Sequence, residues 1–214
     1  MTPTSKLSLG LLLTAAAGFA DAIGFIELGG HFISFMSGNT TQMGHALVEG
    51  LWSVGRMTGS LVLLFFMGSV AGSLAAIWAG PRWGSAAVTA LVLASFGGTL
   101  ALADLGLPPQ QFMLILAAGA GAQNAILPSV GSVRLGTTFV TGTLFTAGQD
   151  LARALCRQAP PWRWAQHMLV WASLLIGALL GAGSHQQFGL GALWGPAALY
   201  LVFLLAFSLR RPAR

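Results

Sequence analysis

Six windows, each near the roughly 20 residues that a helix needs to cross the hydrocarbon core of a bilayer, run almost without charge. They are Leu7–Glu27, Thr58–Ala79, Ala86–Leu105, Gln111–Ser129, His167–Ser184 and Leu190–Leu209. Helix breakers stand between several of them: Pro81, the pair Pro108 and Pro109, and the pair Pro160 and Pro161. Helices are the one option for these windows, because period-two alternation is absent and an unclosed sheet would leave backbone N–H and C=O groups unpaired in lipid. Composition agrees: 55% of residues are apolar and 7% charged, against roughly 45–50% and 25% in a soluble domain. So little polarity cannot cover a surface in water, and the chain reads as an all-α polytopic membrane protein.

Charge sets the orientation. With both termini in the cytoplasm, Lys6, Arg82, Arg134, Arg153, Arg157, Arg163, Arg210, Arg211 and Arg214 fall inside and Arg56 alone falls outside, as the positive-inside rule asks. Trp52, Trp83, Trp162, Trp164 and Trp194 lie near window ends, where interfacial aromatics belong. The high pI reflects a shortage of acids, and bases at span ends are explained by orientation without nucleic acid. Cys156 is the single cysteine, which excludes an internal disulfide. Lys6 followed by "LSLGLLLTAAAGFADA" has the order of a cleaved signal peptide. Cutting near Ala17 or Ala22 would leave five spans and destroy the internal symmetry described next, so the first window reads as a retained span.

Two segments about a hundred residues apart read alike. "GFADAIGF" with "SFMSGNTTQMG" in the first half answers to "GAQNAILP" with "TFVTGTLFTAG" in the second. Gly18, Asp21, Ala22 and Ile23 match Gly121, Asn124, Ala125 and Ile126. Phe35, Ser37, Gly38, Asn39 and Gly44 match Phe139, Thr141, Gly142, Thr143 and Gly148 after a one-residue length change. Each unit continues into a span with a small-residue step, Gly68 to Gly72 and Gly177 to Gly181, of the kind that lets helices approach closely. The chain thus divides into units of three spans, 1–107 and 108–214. An odd number of crossings per unit makes the second enter from the opposite side, giving a 3+3 inverted repeat of six transmembrane helices.

The stretch "HFISFMSGNTTQMGHALVEG", His31 to Gly50, has too many hydroxyls and amides to face lipid and is too apolar for an ordinary loop in water. As one of a pair of interrupted, re-entrant half-helix segments it has a physical account. Asn39 followed three residues later by Gln42 resembles a capping box, predicting a helix from Thr40 to about Val48. Its counterpart, within 133–156, predicts a helix from Thr143 whose end carries Asp150, Arg153 and Arg157 on one side, as an amphipathic segment surfacing in the cytoplasm. The buried N-terminal halves would aim unpaired N–H groups and partial positive charge at the midplane. Gly38 and Gly142 would permit the turn at each start.

Asp21 is the sharpest single residue, because a carboxylate within a span costs at least about 2.5 kcal/mol. It reads either as a proton or cation site beside a pathway or as an architectural cap on the half-helix near Gly38. Its repeat mate, Asn124, is neutral. Ser37, Asn39, Thr40, Gln42, Gln123, Thr137, Thr138, Thr141 and Thr143 add donors and acceptors suited to a small polar or anionic solute. Hydroxyls of this kind also satisfy neighbouring carbonyls. Neither a metal cluster nor a cofactor motif is present in the pattern.

The pairing of these motifs resembles the YoaK-like family of bacterial inner-membrane proteins, domain of unknown function family 1275. The resemblance rests on Asp21 and Ala22; Phe35, Gly38 and Asn39; Gln123, Asn124 and Ala125; and Thr137, Thr138, Val140, Thr141, Gly142 and Thr143. Ser37 stands where the family more often has Thr, which keeps the hydroxyl. The resemblance implies six spans in an inner membrane and supplies no substrate. The leading expectation is a small transporter or channel whose pathway runs between the half-helix starts, with Asp21 in its coupling. The alternative is a non-transporting scaffold, with glycine faces at Gly68, Gly72, Gly177 and Gly181 open to a second copy as a homodimer. An intramembrane enzyme is disfavoured, since no mid-span histidine can act as base to Ser37.

Overall fold

The structure is a computed structural model that describes residues 3–127 and 140–209. Every regular element in it is helical: α1 (Pro3–Glu27), α2 (Met36–Val48), α3 (Trp52–Asp104), α4 (Pro109–Gln123), α5 (Val140–Leu155), α6 (Arg163–Phe188), a 3-10 segment (Gly189–Leu193) and α7 (Trp194–Ser208). Three stretches of described residues are long and apolar enough to cross a membrane: Leu7–Glu27, Trp52–Asp104 and Arg163–Ser208.

The second and third of these, 53 and 46 residues, are too long to be single crossings of a core about 30 Å thick, and each is broken. In α3 the break is Gly80, at φ 71° and ψ −179°, a backbone state essentially restricted to glycine. Pro81 follows, at a helix start where its missing N–H costs nothing. The chain turns back there: a Cβ on Gly84 would come within 2.9 Å of the Ala76 carbonyl oxygen, an approach eight residues of straight helix would forbid. The second break is Gly189, at φ 54°, from which the 3-10 turn leads into α7. At the end of α1, Gly30 N–H donates to Phe25 O (2.8 Å) and Gly29 N–H to Ile26 O (3.3 Å), with Gly29 left-handed, a Schellman stop. Asn124 ends α4 and a turn carries the chain to Leu127. This is shorter than the window Gln111–Ser129, and Ser129 lies outside the described residues.

Close helix contacts run through small residues. Gly68 and Gly72 of α3 meet Ala118 and Ala122 of α4, while Gly177 and Gly181 of α6 meet Ala15 and Phe19 of α1. Gly121 abuts Phe65 and Ser69, and Gly18 abuts Leu174 and Ala178. These contacts give directions. α1 runs with α6, and 52–79 of α3 runs with α4. α1 opposes α4, since Gly10 faces Leu127 and Gln123 Nε2 donates to Leu13 O at 2.9 Å. The returning arm of α3, 81–104, also opposes α4, with Ser95 against Gly119 and Thr99 Oγ1 donating to Phe112 O. The glycine faces expected to be available to a second copy are therefore occupied within the chain. Gly68, Gly72, Gly177 and Gly181 are buried, so a dimer would need another face.

The core between these helices holds Leu13, Ile23, Leu61, Met113, Leu116 and Tyr200. The outside is also apolar: Leu63, Phe66, Met67, Val70, Leu74 and Ile77 form an exposed stripe at helical spacing along α3. A stripe of that length has lipid as its natural partner, not water.

Candidate functional site

The stretch between α1 and α2 is folded by side chains that reach back to it. After the glycine turn the chain descends beside α1, and Asp21 receives it. Ile33 N–H donates to Asp21 Oδ1 at 2.7 Å, Ser34 N–H to the same oxygen at 2.9 Å, and Ser34 Oγ to Oδ2 at 3.0 Å. Asp21 stands six residues before the end of α1, so the loop re-enters by about 9 Å. Gly24 makes room for it, because any Cβ there would collide with the Ile33 side chain.

Asn39 and Gln42 do not form the capping box that their spacing predicts. α2 begins at Met36, four residues before the expected Thr40, and its N-cap Phe35 makes no side-chain bond. Asn39 is instead fully buried and clamps the backbone of Phe32, accepting from its N–H at 3.0 Å and donating to its carbonyl at 2.6 Å. Gln42 Nε2 donates to Gly30 O at 3.0 Å, and its Oε1 lies 2.6 Å from His31 Nδ1. A descending loop offers these side chains backbone groups that an isolated helix start lacks, and the longer reach wins over the local cap. Thr40 Oγ1 returns to Met36 O at 2.8 Å on an exposed face, and Ser37 is exposed. Gly38 is not at a left-handed turn; its missing side chain leaves space for the rings of Phe35 and Phe32. Gly142 likewise has no left-handed φ.

Between this loop, α1, α5 and α6 lies a cavity of about 660 Å³. Asp21, Ser34 and Thr141 are polar side chains in its wall; Gly18, Phe25, Phe32, Phe35, Leu144 and Trp171 are among the apolar members. Residues just before α2 and the first residues of α5 thus line one space. Ser34, Phe25 and Trp171 were not singled out from the sequence. Ser34 sits inside the polar stretch and carried that much signal, whereas Trp171 looked like any other apolar span residue.

Other predicted site residues lie elsewhere. Gln123 is buried, donating to Leu13 O and accepting from the Tyr200 hydroxyl at 2.6 Å, a tie between α1, α4 and α7. Tyr200 is the single tyrosine, and a phenol in so apolar a span was itself a cue for a buried partner. Asn124 Nδ2 donates to Ala120 O at 3.1 Å within its own turn. Thr143 lies in the first turn of α5, which is already helical at Val140. Thr137 and Thr138 lie outside the described residues.

The end of α5 also departs from expectation. Asp150 is 1% exposed, not part of a solvated face. Arg163 Nε at 3.1 Å, His167 Nε2 at 3.4 Å and Arg153 Nη1 at 3.5 Å surround it. At the other end of α6, His185 Nε2 lies 2.6 Å from Glu27 Oε1. Among the described residues no group of three His, Cys, Asp or Glu side chains is placed to hold a metal.

A family model described as "Protein of unknown function (DUF1275)" matches residues 9–206. The UPF0700 transmembrane protein RA0705 of Rhizobium meliloti (strain 1021) is 34% identical over 211 residues, covering 96% of this chain and 90% of that protein. The UPF0700 transmembrane protein YoaK of Bacillus subtilis (strain 168) is 22% identical over 216 residues, covering 93% and 92%. No solved structure gives a significant match. Long apolar helices with lipid-suited faces and relatives named as transmembrane proteins make this a membrane protein, and the chain belongs to the DUF1275 family.

Proposed function

We propose that the protein is a six-span transporter or channel, not an enzyme, built as a 3+3 inverted repeat in the bacterial inner membrane with both termini cytoplasmic. The helix directions support the repeat. α1 opposes α4, each runs alongside a glycine-stepped helix of the other half, and the contacts are mates: Gly68 on Ala118 answers Gly177 on Ala15. On this reading α3 supplies two crossings about Gly80, and α6 and α7 supply two about Gly189.

The observation that carries the transport reading is the cavity shared by the loop before α2 and the start of α5. A scaffold would fill that space. The solute is small and polar or charged, but the anionic option loses ground. The loop N–H groups of Ile33 and Ser34 hold the Asp21 carboxylate at the cavity wall, and a second negative charge there would be repelled.

Two measurements test this. Cys156, exposed after α5, should react with a membrane-impermeant maleimide only in permeabilised cells, whereas Leu51→Cys in a Cys156→Ser background should react in intact spheroplasts; the reverse pattern refutes the topology. In proteoliposomes, uptake of at least one of a panel of small neutral, cationic and anionic solutes should exceed that of protein-free vesicles. It should fall when Thr141→Trp fills the cavity, and change in rate or pH profile with Asp21→Asn. A panel with no member above background ends the transport reading.

A further inference from the structure

Resting on that reading, the wall chemistry narrows the solute. We propose that the cavity binds an organic cation with an apolar body, its onium charge set against Asp21 and its body against the rings of Phe25, Phe32, Phe35 and Trp171.

The described wall contains one ionisable side chain, Asp21. Among the described residues no Lys, Arg or His lies within ion-pair distance of it. Its three hydrogen bonds come from neutral donors, which orient the carboxylate without cancelling its charge. Three phenylalanine rings form a contiguous run beside it: Phe25 and Phe32 have centroids 5.1 Å apart, and Phe32 and Phe35 stand edge to face at 5.2 Å. Trp171 also lines the cavity, from α6. Aromatic faces attract cations, tryptophan most strongly, and a carboxylate supplies the remaining charge. A bare metal ion is a poor fit, because hard cations require about six or more oxygen ligands. Among the described residues the oxygen-bearing side chains of this wall are Asp21, Ser34 and Thr141. The volume of about 660 Å³ is that of a site for an organic molecule, commonly about 300–1,000 Å³.

Equilibrium dialysis of the full-length, detergent-purified protein tests this with radiolabelled tetraphenylphosphonium and tetraphenylborate, ions of similar shape and opposite charge. Tetraphenylphosphonium should bind saturably at one per chain, while tetraphenylborate shows micelle partitioning alone. Asp21→Asn should weaken cation binding at least tenfold, and so should Thr141→Trp, which blocks the cavity from α5 and leaves the Asp21 contacts untouched. Circular dichroism and gel filtration check that each variant is folded. Equal binding of both ions, absence of saturable cation binding, or binding that survives both substitutions overturns the assignment. Saturable Asp21-dependent binding without vesicle flux supports the site and refutes transport. Flux of other solutes without cation binding refutes the site and leaves transport standing.

Discussion

Alanine at Gly68 or Gly177 probes two of the closest helix contacts among the described residues. A Cβ at Gly68 would lie 2.7 Å from the Ala118 Cα, and one at Gly177 would lie 2.8 Å from the Ala15 Cα, where ordinary contact begins at 3.4 Å. The carbonyl oxygens of Ala118 and Ala15 are nearer still. These obstacles are backbone atoms, so no rotamer change relieves them, and the paired helices must separate by more than about 0.7 Å. A gap of roughly 0.5–1 Å forfeits a quarter to a half of each dispersion contact it opens, and overpacking of this kind costs typically about 1–3 kcal/mol. At about 2–4 °C per kcal/mol for a chain of this size, each variant should melt about 2–12 °C below wild type. Gly183→Ala is the control, because a Cβ there meets nothing within 4 Å and its φ is not left-handed; it should be neutral or slightly stabilising. The assay is thermal unfolding in one detergent, followed by light scattering and near-ultraviolet circular dichroism. Losses at Gly68 and Gly177 that match each other and exceed the control support the paired contacts. Gly68→Ala or Gly177→Ala behaving like Gly183→Ala would refute the close approach.

Asp21→Ala should cost more than Asp21→Asn, by about 1–3 kcal/mol, because it strands the N–H groups of Ile33 and Ser34; protection of those amides in hydrogen exchange reports it, and equal protection in both variants would remove the capping role. Tyr200→Phe removes the hydroxyl from which Gln123 Oε1 accepts, so a melting loss worth about 0.5–1.5 kcal/mol is expected, and none should appear on adding Tyr200→Phe to a Gln123→Leu background. Asp150→Ala should loosen α5 from α6 by about 1 kcal/mol, since Arg153 and Arg163 are half exposed and keep their hydration. Faster proteolysis after Arg157 with unchanged global melting is the expected signature.

Span-scale features were legible in the sequence because they depend on length and composition. The breaks at Pro81 and Pro108–Pro109 and the Gly-x-x-x-Gly steps obey local rules. Partners were not legible. Gly68 and Gly177 are small for a reason visible in the sequence, but whether their neighbour is the same chain or another copy is decided by tertiary geometry. Asn39 and Gln42 failed as a capping box for the same reason: their partners, the backbones of Phe32 and Gly30, depend on a loop folding back along α1. Asp150 read as solvated because two of its three side-chain partners, Arg163 and His167, belong to the next helix.

On the repeat reading, what the halves share and what they do not share bear on different questions. The glycine contacts recur at mated positions, so they belong to the architecture that both units need. The charge does not recur. Asp21 receives a re-entrant loop and faces a cavity, and the residue at its mated position, Asn124, is neutral. If the acid served only to cap that loop, an asparagine oxygen could accept the same two N–H bonds at no cost in buried charge. On the proposed function the carboxylate is kept for a solute and not for the loop alone, so Asp21→Asn should preserve the loop and lose the binding.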